Sequence, residues 1–178
     1  MKISGGAGEF GAMPFAKKDN MKIDLSLPVL RALGSRHGYY PKNDWKKAAT
    51  VDMIAESYAD VWNPWAGAII NPKLDDAGKA KVVQDSLAEG TGGCWRLMKM
   101  VEAALERYNG RLLTGDQATI ADACMCSMLH NFFFNPINPF SAMMGPWLQQ
   151  NFPKVKTYAD NLKVEFGKHL NARPKCPF

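Results

Sequence analysis

The sequence has few cysteines and histidines, and neither kind is grouped as a metal site requires. Its four cysteines contain no CxxC pair, and its three histidines lie far apart along the 178 residues. Zinc sites and disulfide frameworks need closely spaced ligands or paired cysteines. The sequence therefore predicts no metal site, and it predicts reduced thiols that are mostly buried.

The sequence also lacks a membrane span and a secretory signal. Its longest apolar run, residues 118–134, is interrupted by four polar side chains: Asp122, Ser127, His130 and Asn131. Such a run predicts a buried core helix rather than a bilayer span. Residues 1–11 hold one lysine and no apolar segment, so they do not form a signal peptide. We expect a cytoplasmic protein, and an organellar location such as the mitochondrion stays open.

A strong charge of one sign is missing as well. Lysine and arginine number 22 against 17 acidic residues, a net charge of +5, and no basic block is interleaved with aromatics. This distribution predicts no nucleic-acid binding. With 47% hydrophobic residues over 178 positions, the chain is long enough for one sizeable core.

The chain is predicted to begin with two strands joined by a hairpin turn and followed by a helix. Alternation and turn residues predict the strands and the turn, and Ser26 is suited to cap the helix with Pro28 in its first turn. Gly38 is suited to end that helix. The predicted ranges are 13–16 for the first strand, 17–20 for the turn, 21–25 for the second strand and 26–37 for the helix.

The rest of the chain has helical periodicity. Asp44 is suited to cap a helix starting at Trp45, which Pro64 should bend or disturb. Residues 71–79 are predicted to break the helical pattern, and the proline-rich residues 135–146 to form a connection. The further predicted helices are 82–108, with an interruption near 90–93, then 120–134, 147–150 and 155–166.

The segment TGDQATIADACM (114–125) contains a capping box. Thr119 and Asp122 are spaced so that each side chain can bond to the other's backbone N–H at a helix start. The following helix is apolar on nearly every side, so its N-terminus should be buried and its donors must be satisfied. We interpret Thr119 and Asp122 as a structural cap, with a loss of about 1–2 kcal/mol for Asp122→Ala, and not as catalytic residues.

Four segments resemble the cytosolic glutathione transferases, in the order found in that family. LLTGDQATIADA (112–123) resembles the family pattern L-x-G-x-x-x-T-x-A-D. ATVDMIAESYAD (49–60) resembles the first helix of the family's helical domain, and residues 152–178 resemble its closing helix and tail. Residues 10–41 resemble the second half of its thioredoxin-like domain. The resemblance is closest to the sigma class, which also includes non-enzymatic lens crystallins.

The resemblance implies a mainly α fold: a glutathione-transferase C-terminal-like helical bundle preceded by a truncated thioredoxin-like half domain (β-β-α). The implied boundaries are 1–40 for the half domain and 41–178 for the helical domain. In the family, a strand, helix, strand and helix come before this half domain. We expect the start of this chain to be either genuine or an incomplete sequence lacking about 45 residues.

The resemblance also implies glutathione-binding residues. The backbone of Met13, before a cis Pro14, would bond the cysteinyl unit, and Ser26 would bind the γ-glutamyl carboxylate at a helix N-terminus. Asp60 would reach glutathione across a dimer. The alternatives are an ordinary trans proline, a simple N-cap and a solvated carboxylate. Leu25 departs from the family, which usually has glutamine there.

An apolar pocket for the second substrate is implied more weakly. Met53, Trp62 and Trp65 would lie near the family's electrophile site. Aromatic residues at helical spacing are more often core residues, which is the alternative interpretation.

No catalytic residue is assigned, because the family's thiol-activating Tyr or Ser lies in the first strand, upstream of anything in this sequence. Three functions follow. The first is a glutathione-transferase-like structural or interaction subunit without activity, in a homodimer or a larger assembly. The second is an active transferase or isomerase represented by an incomplete chain, with glutathione as substrate. The third is a non-catalytic module that binds an apolar ligand in the bundle.

Overall fold

Two short antiparallel strands open the part of the chain that the computed structural model describes, residues 14–18 and 20–176. β1 (Phe15–Lys18) pairs with β2 (Met21–Asp24), and the ladder runs from Phe15 opposite Asp24 to Lys18 opposite Met21. The predicted turn at 17–20 is therefore too long, because both lysines belong to the ladder. A hairpin whose last pair is Lys18–Met21 leaves two residues for the connection.

The first helix begins directly after the hairpin. α1 (Ser26–His37) ends at Gly38, which takes the left-handed conformation at φ 83° that a helix C-terminus often uses. This end was predicted correctly. Its beginning differs from the prediction, because the N-cap position is Leu25, with φ 70° and ψ 146°, and Ser26 is the first helical residue.

The longest helix is α2 (Trp45–Ile69), and Asp44 caps it as predicted. The Asp44 carboxylate accepts hydrogen bonds from the backbone N–H groups of Lys46 and Lys47, both at 3.1 Å. The helix continues through Pro64, so the expected disturbance does not end it. Proline removes one internal hydrogen bond, and packing of the 25-residue helix against its neighbours outweighs that loss.

The predicted helix 82–108 is two helices, as the glycines near residue 90 suggested. α3 (Asp76–Leu87) starts earlier than predicted because Asp75 caps it, accepting from Gly78 N–H at 2.8 Å. α4 (Gly93–Tyr108) follows after the interruption. Residues 76–79, predicted as a break, are therefore helical.

The buried helix α5 (Ile120–Met128) passes into a π-helical turn at Leu129–Phe133. The remaining helices are α6 (Ser141–Asn151), α7 (Pro153–Glu165) and α8 (Gly167–Ala172). The predicted connection 135–146 is wrong in its second half, since α6 includes Pro146. The predicted tail is wrong at residues 171–172, which complete α8.

The core lies between α2, α4, α5 and α7, with α5 at its centre. The side chains of Leu97, Met125 and Leu129 have no exposed surface. α1 docks on this bundle through Gly34, where an added Cβ would lie 2.6 Å from Ile120 Cγ2. The Ile120 N–H also donates to the Tyr39 carbonyl oxygen at 2.9 Å. The hairpin and α1 are thus tied to the N-terminal end of α5.

These elements confirm the predicted fold class, a mainly α chain with a short β-β-α segment before a helical bundle. Of the helices in residues 14–18 and 20–176, none is long and apolar enough to cross a membrane. The same residues contain no cluster of three or more metal-ligating side chains.

The cysteines are buried with one exception. Cys94, Cys124 and Cys126 lie in the interior and Cys176 is exposed, and none is in a disulfide. Burial raises the pKa of the Cys124 and Cys126 thiols to about 11. Thiols with such a raised pKa are almost entirely protonated at neutral pH and are therefore unreactive.

Candidate functional site

The N-terminus of α1 lies at the end of the hairpin and presents helix N–H groups that favour an anion. Ser26 is exposed there, and no side chain caps the helix. The first turn contains no acidic residue. Because the dipole and the first N–H groups of a helix favour negative charge, a carboxylate could be held beside Ser26.

Leu25 is strained at this point. A φ of 70° with a ψ of 146° is a region that residues other than glycine rarely occupy, at a cost of about 1–3 kcal/mol. Its side chain is 57% exposed, so burial of the leucine does not offset that cost. Strain of this kind concentrates at functional sites. No pattern in the sequence indicates this strain, because only the backbone path between β2 and α1 requires it.

The hairpin brings two of the predicted glutathione residues to one end. Phe15 pairs with Asp24, so Pro14, one residue before that pair, and Ser26, two residues after it, lie toward the same end of the hairpin. Pro14 is exposed. Met13 lies outside the described residues. Its predicted role, like those of Pro14 and Ser26, stays a prediction.

Asp60 and Met53 are exposed on α2, with Met53 at 51%. The exposed position of Asp60 suits both of its interpretations, a contact across a dimer and a solvated carboxylate.

The two pocket tryptophans lie in different environments. Trp65 is fully buried, and its indole Nε1–H donates to Ser86 Oγ at 2.9 Å, so it is a core residue. Trp62 is half-buried and packs edge-on against Phe132, with ring centroids 5.0 Å apart. Trp65 also lies near Phe132, with ring centroids 5.4 Å apart, so the pocket role of Met53, Trp62 and Trp65 stays a prediction.

Most tyrosine hydroxyls of the chain are engaged in structural contacts, which bears on whether any could stabilise a thiolate. Tyr40 donates to Asp52 Oδ2 at 2.9 Å, and Tyr158 donates to Asp122 Oδ1 at 2.8 Å. Tyr108 shares a hydrogen bond with Thr50 at 3.1 Å. Tyr58 is half-buried, and burial raises the pKa of its hydroxyl against an opposing effect of Ser127.

Tyr39, the fifth tyrosine, is 48% exposed. It follows the C-terminal end of α1, about 18 Å from Ser26 along the helix at 1.5 Å per residue.

The contact of Tyr40 is part of a network that the sequence did not reveal. Arg31 on α1 bonds to Asp52 on α2, with Nη2 2.9 Å from Oδ1, and Tyr40 bonds to the other carboxylate oxygen. Burial, and then the bond to Asp52, raise the pKa of the Tyr40 hydroxyl. The three residues fix α1 against α2. No spacing rule links them, since Arg31 and Asp52 are 21 positions apart.

The capping box at α5 is confirmed, and it is larger than predicted. Asp122 is fully buried and its carboxylate accepts from the Thr119 N–H at 2.8 Å and from the Thr119 hydroxyl at 2.7 Å. The Leu113 N–H at 3.1 Å and the Tyr158 hydroxyl also donate to it. Burial raises the pKa of the Asp122 carboxyl, and these bonds oppose that shift. Asp122 has no open side toward a substrate, so its role is structural.

Comparison with curated proteins identifies glutathione S-transferases. The chain is 22% identical over 156 residues to the class-mu 28 kDa isozyme of Schistosoma mansoni. It is 25% identical over 158 residues to glutathione S-transferase alpha-5 of Rattus norvegicus, and 22% identical over 121 residues to glutathione S-transferase A of Cavia porcellus. These alignments cover 86%, 86% and 68% of this chain.

The chain spans 67%, 62% and 52% of the length of these three relatives, in the same order. No family model matches it.

Solved structures show the same fold. The structure of NaGST-2 has a TM-score of 0.74 at 21% identity, and a Nu-class GST from Haemonchus contortus has a TM-score of 0.64 at 22% identity. Both matches cover 96% of this chain and 78% of the other. The predicted resemblance to the cytosolic glutathione transferases is thereby confirmed. The likeness to the sigma class stays a prediction.

Proposed function

Given this relationship to the cytosolic glutathione transferases, we propose that the chain is a glutathione-transferase-like subunit that does not itself activate the glutathione thiol. In this proposal the N-terminus of α1 keeps the carboxylate-binding end of a glutathione site. The chain serves as a structural or interaction subunit of a homodimer or larger assembly. We place the boundary between its two parts near residue 40, where the Arg31–Asp52–Tyr40 network joins α1 to α2.

The engagement of the tyrosine hydroxyls carries this proposal. A glutathione thiol becomes a nucleophile when a nearby hydroxyl stabilises its thiolate. Three of the five tyrosine hydroxyls are held by Asp52, Thr50 and Asp122, and a fourth tyrosine, Tyr58, is half-buried on α2. Tyr39 lies at the far end of α1. The described residues thus offer a place for the carboxylate of glutathione and no tyrosine beside it for the sulfur.

Conjugation tests the catalytic part of the proposal. The purified 178-residue chain, mixed with glutathione and a generic aryl halide, should show the buffer rate of thiol conjugation. Turnover well above that rate would contradict the proposal and favour an active transferase.

Isothermal titration with glutathione tests the binding part. Ser26→Ala should weaken binding, and Ser35→Ala, a matched change near the other end of α1, should not. Leu25→Gln, which restores the amide usual in the family, should strengthen binding by up to about 10-fold, the upper value of one ordinary net hydrogen bond. If all three variants bind glutathione like the parent chain, the α1 site is wrong.

Active catalysis is the second candidate, and the strained Leu25 favours it. A strained backbone persists where the surrounding structure demands it, often to shape a binding site. If the aryl halide assay shows turnover and Ser26→Ala reduces it, this second candidate replaces the first.

The assembly is tested by sedimentation. In this proposal the exposed α2 face with Met53 and Asp60 contacts a partner. Asp60→Ala should weaken glutathione binding only if the chain is a dimer. A monomer over the accessible concentration range would exclude the homodimer.

A further inference from the structure

A surface cleft lies at the C-terminal end of α5, away from the α1 site. It has a volume of about 340 Å³ and is lined by the π-helical turn, α7, α8 and the segment after α8. Its principal side chains are His130, Phe134, Lys156, Lys163, Leu170 and Arg173. The C-terminal half of α1 packs at the opposite end of α5, where Gly34 meets Ile120, about 15 Å from His130 at 1.5 Å per residue.

Positive charge is in excess in this cleft. Lys156, Lys163 and Arg173 face a single carboxylate, that of Asp160. Asp160 is already paired, because Lys156 Nζ lies 2.6 Å from its Oδ2. Within residues 14–18 and 20–176, neither Lys163 nor Arg173 has a carboxylate within 4.0 Å. Among the charges of the described residues, two positive charges in the cleft are therefore uncompensated.

Arg173 is held in place by neutral acceptors. Its Nη2 donates to the carbonyl oxygen of His130 at 2.8 Å, and its Nη1 donates to Asn131 Oδ1. These contacts fix the guanidinium plane at the mouth of the cleft. A guanidinium has five N–H donors, so others are left for a ligand. The carbonyl dipole at the helix end offsets at most about half of the positive charge.

The positive charge of the cleft affects the pKa of His130. The ring is half-buried and its Nε2 lies 3.0 Å from the Ala159 carbonyl oxygen. Burial lowers its pKa most, and the charges of Arg173 and Lys163 lower it further, against the opposing effects of the Ala159 carbonyl and Asp160. A bound anion would cancel the effect of the two cations and raise the pKa of His130.

We propose that this cleft binds a phosphate-class dianion, held by Arg173 and Lys163 with Lys156 at its edge. The two uncompensated positive charges match a dianion. Guanidinium groups bind phosphate oxygens through paired N–H donors. Leu170 and the ring of Phe134 add an apolar wall, so the cleft suits the monoester of a small organic group as well as inorganic phosphate.

Titration of the full chain with inorganic phosphate and phenyl phosphate tests the proposal. The readout is the imidazole proton signal of His130 in NMR spectra at constant ionic strength, assigned with His130→Gln. We expect saturation below about 10 mM ligand, which corresponds to weak but specific affinity, and a higher pKa for His130 in the bound form.

Matched lysine variants distinguish phosphate binding in this cleft from general electrostatic attraction of phosphate to the protein. Lys163→Gln should weaken binding at least about 5-fold, within the range of one charge-assisted contact. Lys168→Gln, at an exposed lysine on α8 outside the cleft, should not. Lys163 is exposed, so its loss leaves the fold intact. Equal binding by the two variants, or no saturation with either ligand, would overturn the proposal.

Discussion

The hairpin with α1 and the bundle around α5 use their side chains in opposite ways. In the bundle, large side chains such as Trp65, Phe132 and Tyr158 are fully buried, and the buried carboxylate of Asp122 has four donors. In the hairpin and α1, Met21 is 65% exposed, Leu25 57% and Leu33 46%. The two strands form a two-stranded sheet whose outer edges pair with no other described strand. The bundle is thus stabilised by its own contacts.

This difference in burial indicates that a binding partner would contact the hairpin rather than the interior of the bundle. A two-stranded hairpin is marginally stable without packing partners, and exposed strand edges favour pairing with another chain. Here the hairpin and α1, together called the hairpin segment, are held on the bundle by contacts of α1. These contacts are made by Gly34 and by the Arg31–Asp52–Tyr40 network. The following experiments test whether stability resides in the bundle and strain in the hairpin segment.

The largest effect should come from the buried carboxylate. Asp122→Ala leaves the N–H groups of Leu113 and Thr119 and the Tyr158 hydroxyl without their acceptor. At about 1–3 kcal/mol for each buried unsatisfied donor, we expect a loss of roughly 3–5 kcal/mol, more than a helix cap alone provides. Urea denaturation measures the free energy of unfolding.

The matched control is Asp85→Ala on α3. Asp85 forms an exposed ion pair with Lys81 at 3.0 Å, and such pairs contribute about 0.2–1 kcal/mol. If the two aspartate variants are equally stable, the Asp122 network does not support the bundle.

The sequence predicted the parts of this fold that depend on local spacing. Asp44, Gly38 and the pair Thr119–Asp122 act within four residues of their partners, so a pattern in the chain is enough to find them. The two other donors to Asp122, Leu113 and Tyr158, come from a loop and from α7, and no local pattern links them.

Proline explains the wrong prediction for the start of α6. The sequence predicts a disturbance at Pro64 and a connection that includes Pro146, yet both prolines lie within helices. Tertiary packing can outweigh the loss of one hydrogen bond, and the sequence does not show that packing. The strain at Leu25 was missed for the same kind of reason, because it arises from joining β2 to α1.

The second effect concerns the contact between the two regions. Gly34→Ala would place a methyl group 2.6 Å from Ile120 Cγ2 and 3.3 Å from Tyr40 Cβ. Overpacking of this kind costs about 1–3 kcal/mol, so we expect lower stability and a less protected α1 in amide hydrogen exchange.

Gly67→Ala is the control, since Gly67 is exposed on α2 and an added Cβ there meets nothing within 4 Å. It should stabilise the protein by up to about 1 kcal/mol through helix propensity. Gains at both glycines would show that α1 is not packed closely on α5.

The third effect concerns the strained backbone at Leu25, where glycine should stabilise the protein more than alanine. Alanine normally stabilises better than glycine, yet at a strained φ of 70° glycine is unstrained. Leu25→Gly should therefore be more stable than Leu25→Ala by about 1 kcal/mol. At Met21, in β2, the order should be the usual one, with Met21→Ala the more stable by about 0.5–1 kcal/mol. The same order at both positions would mean that the strain at Leu25 is absent.

The smallest effect is the pH dependence of the bundle. Burial lowers the pKa of His130 below 6.5 in the folded chain. The unfolded chain then binds the proton more readily, so this residue's contribution to stability is complete above pH 6.5 and is lost as the pH falls through the folded pKa. The raised pKa of Asp122 acts in the opposite sense, with stability lost as the pH rises from about 3.8.

Thermal unfolding of the parent chain and of His130→Gln between about pH 3.8 and 6.5 separates the contributions of His130 and Asp122. Only the parent should lose the His130 contribution on acidification. His37→Gln, at the exposed end of α1, should leave that difference in place. Parallel curves for the parent and His130→Gln would show that the C-terminal end of α5 does not exclude the charged imidazole.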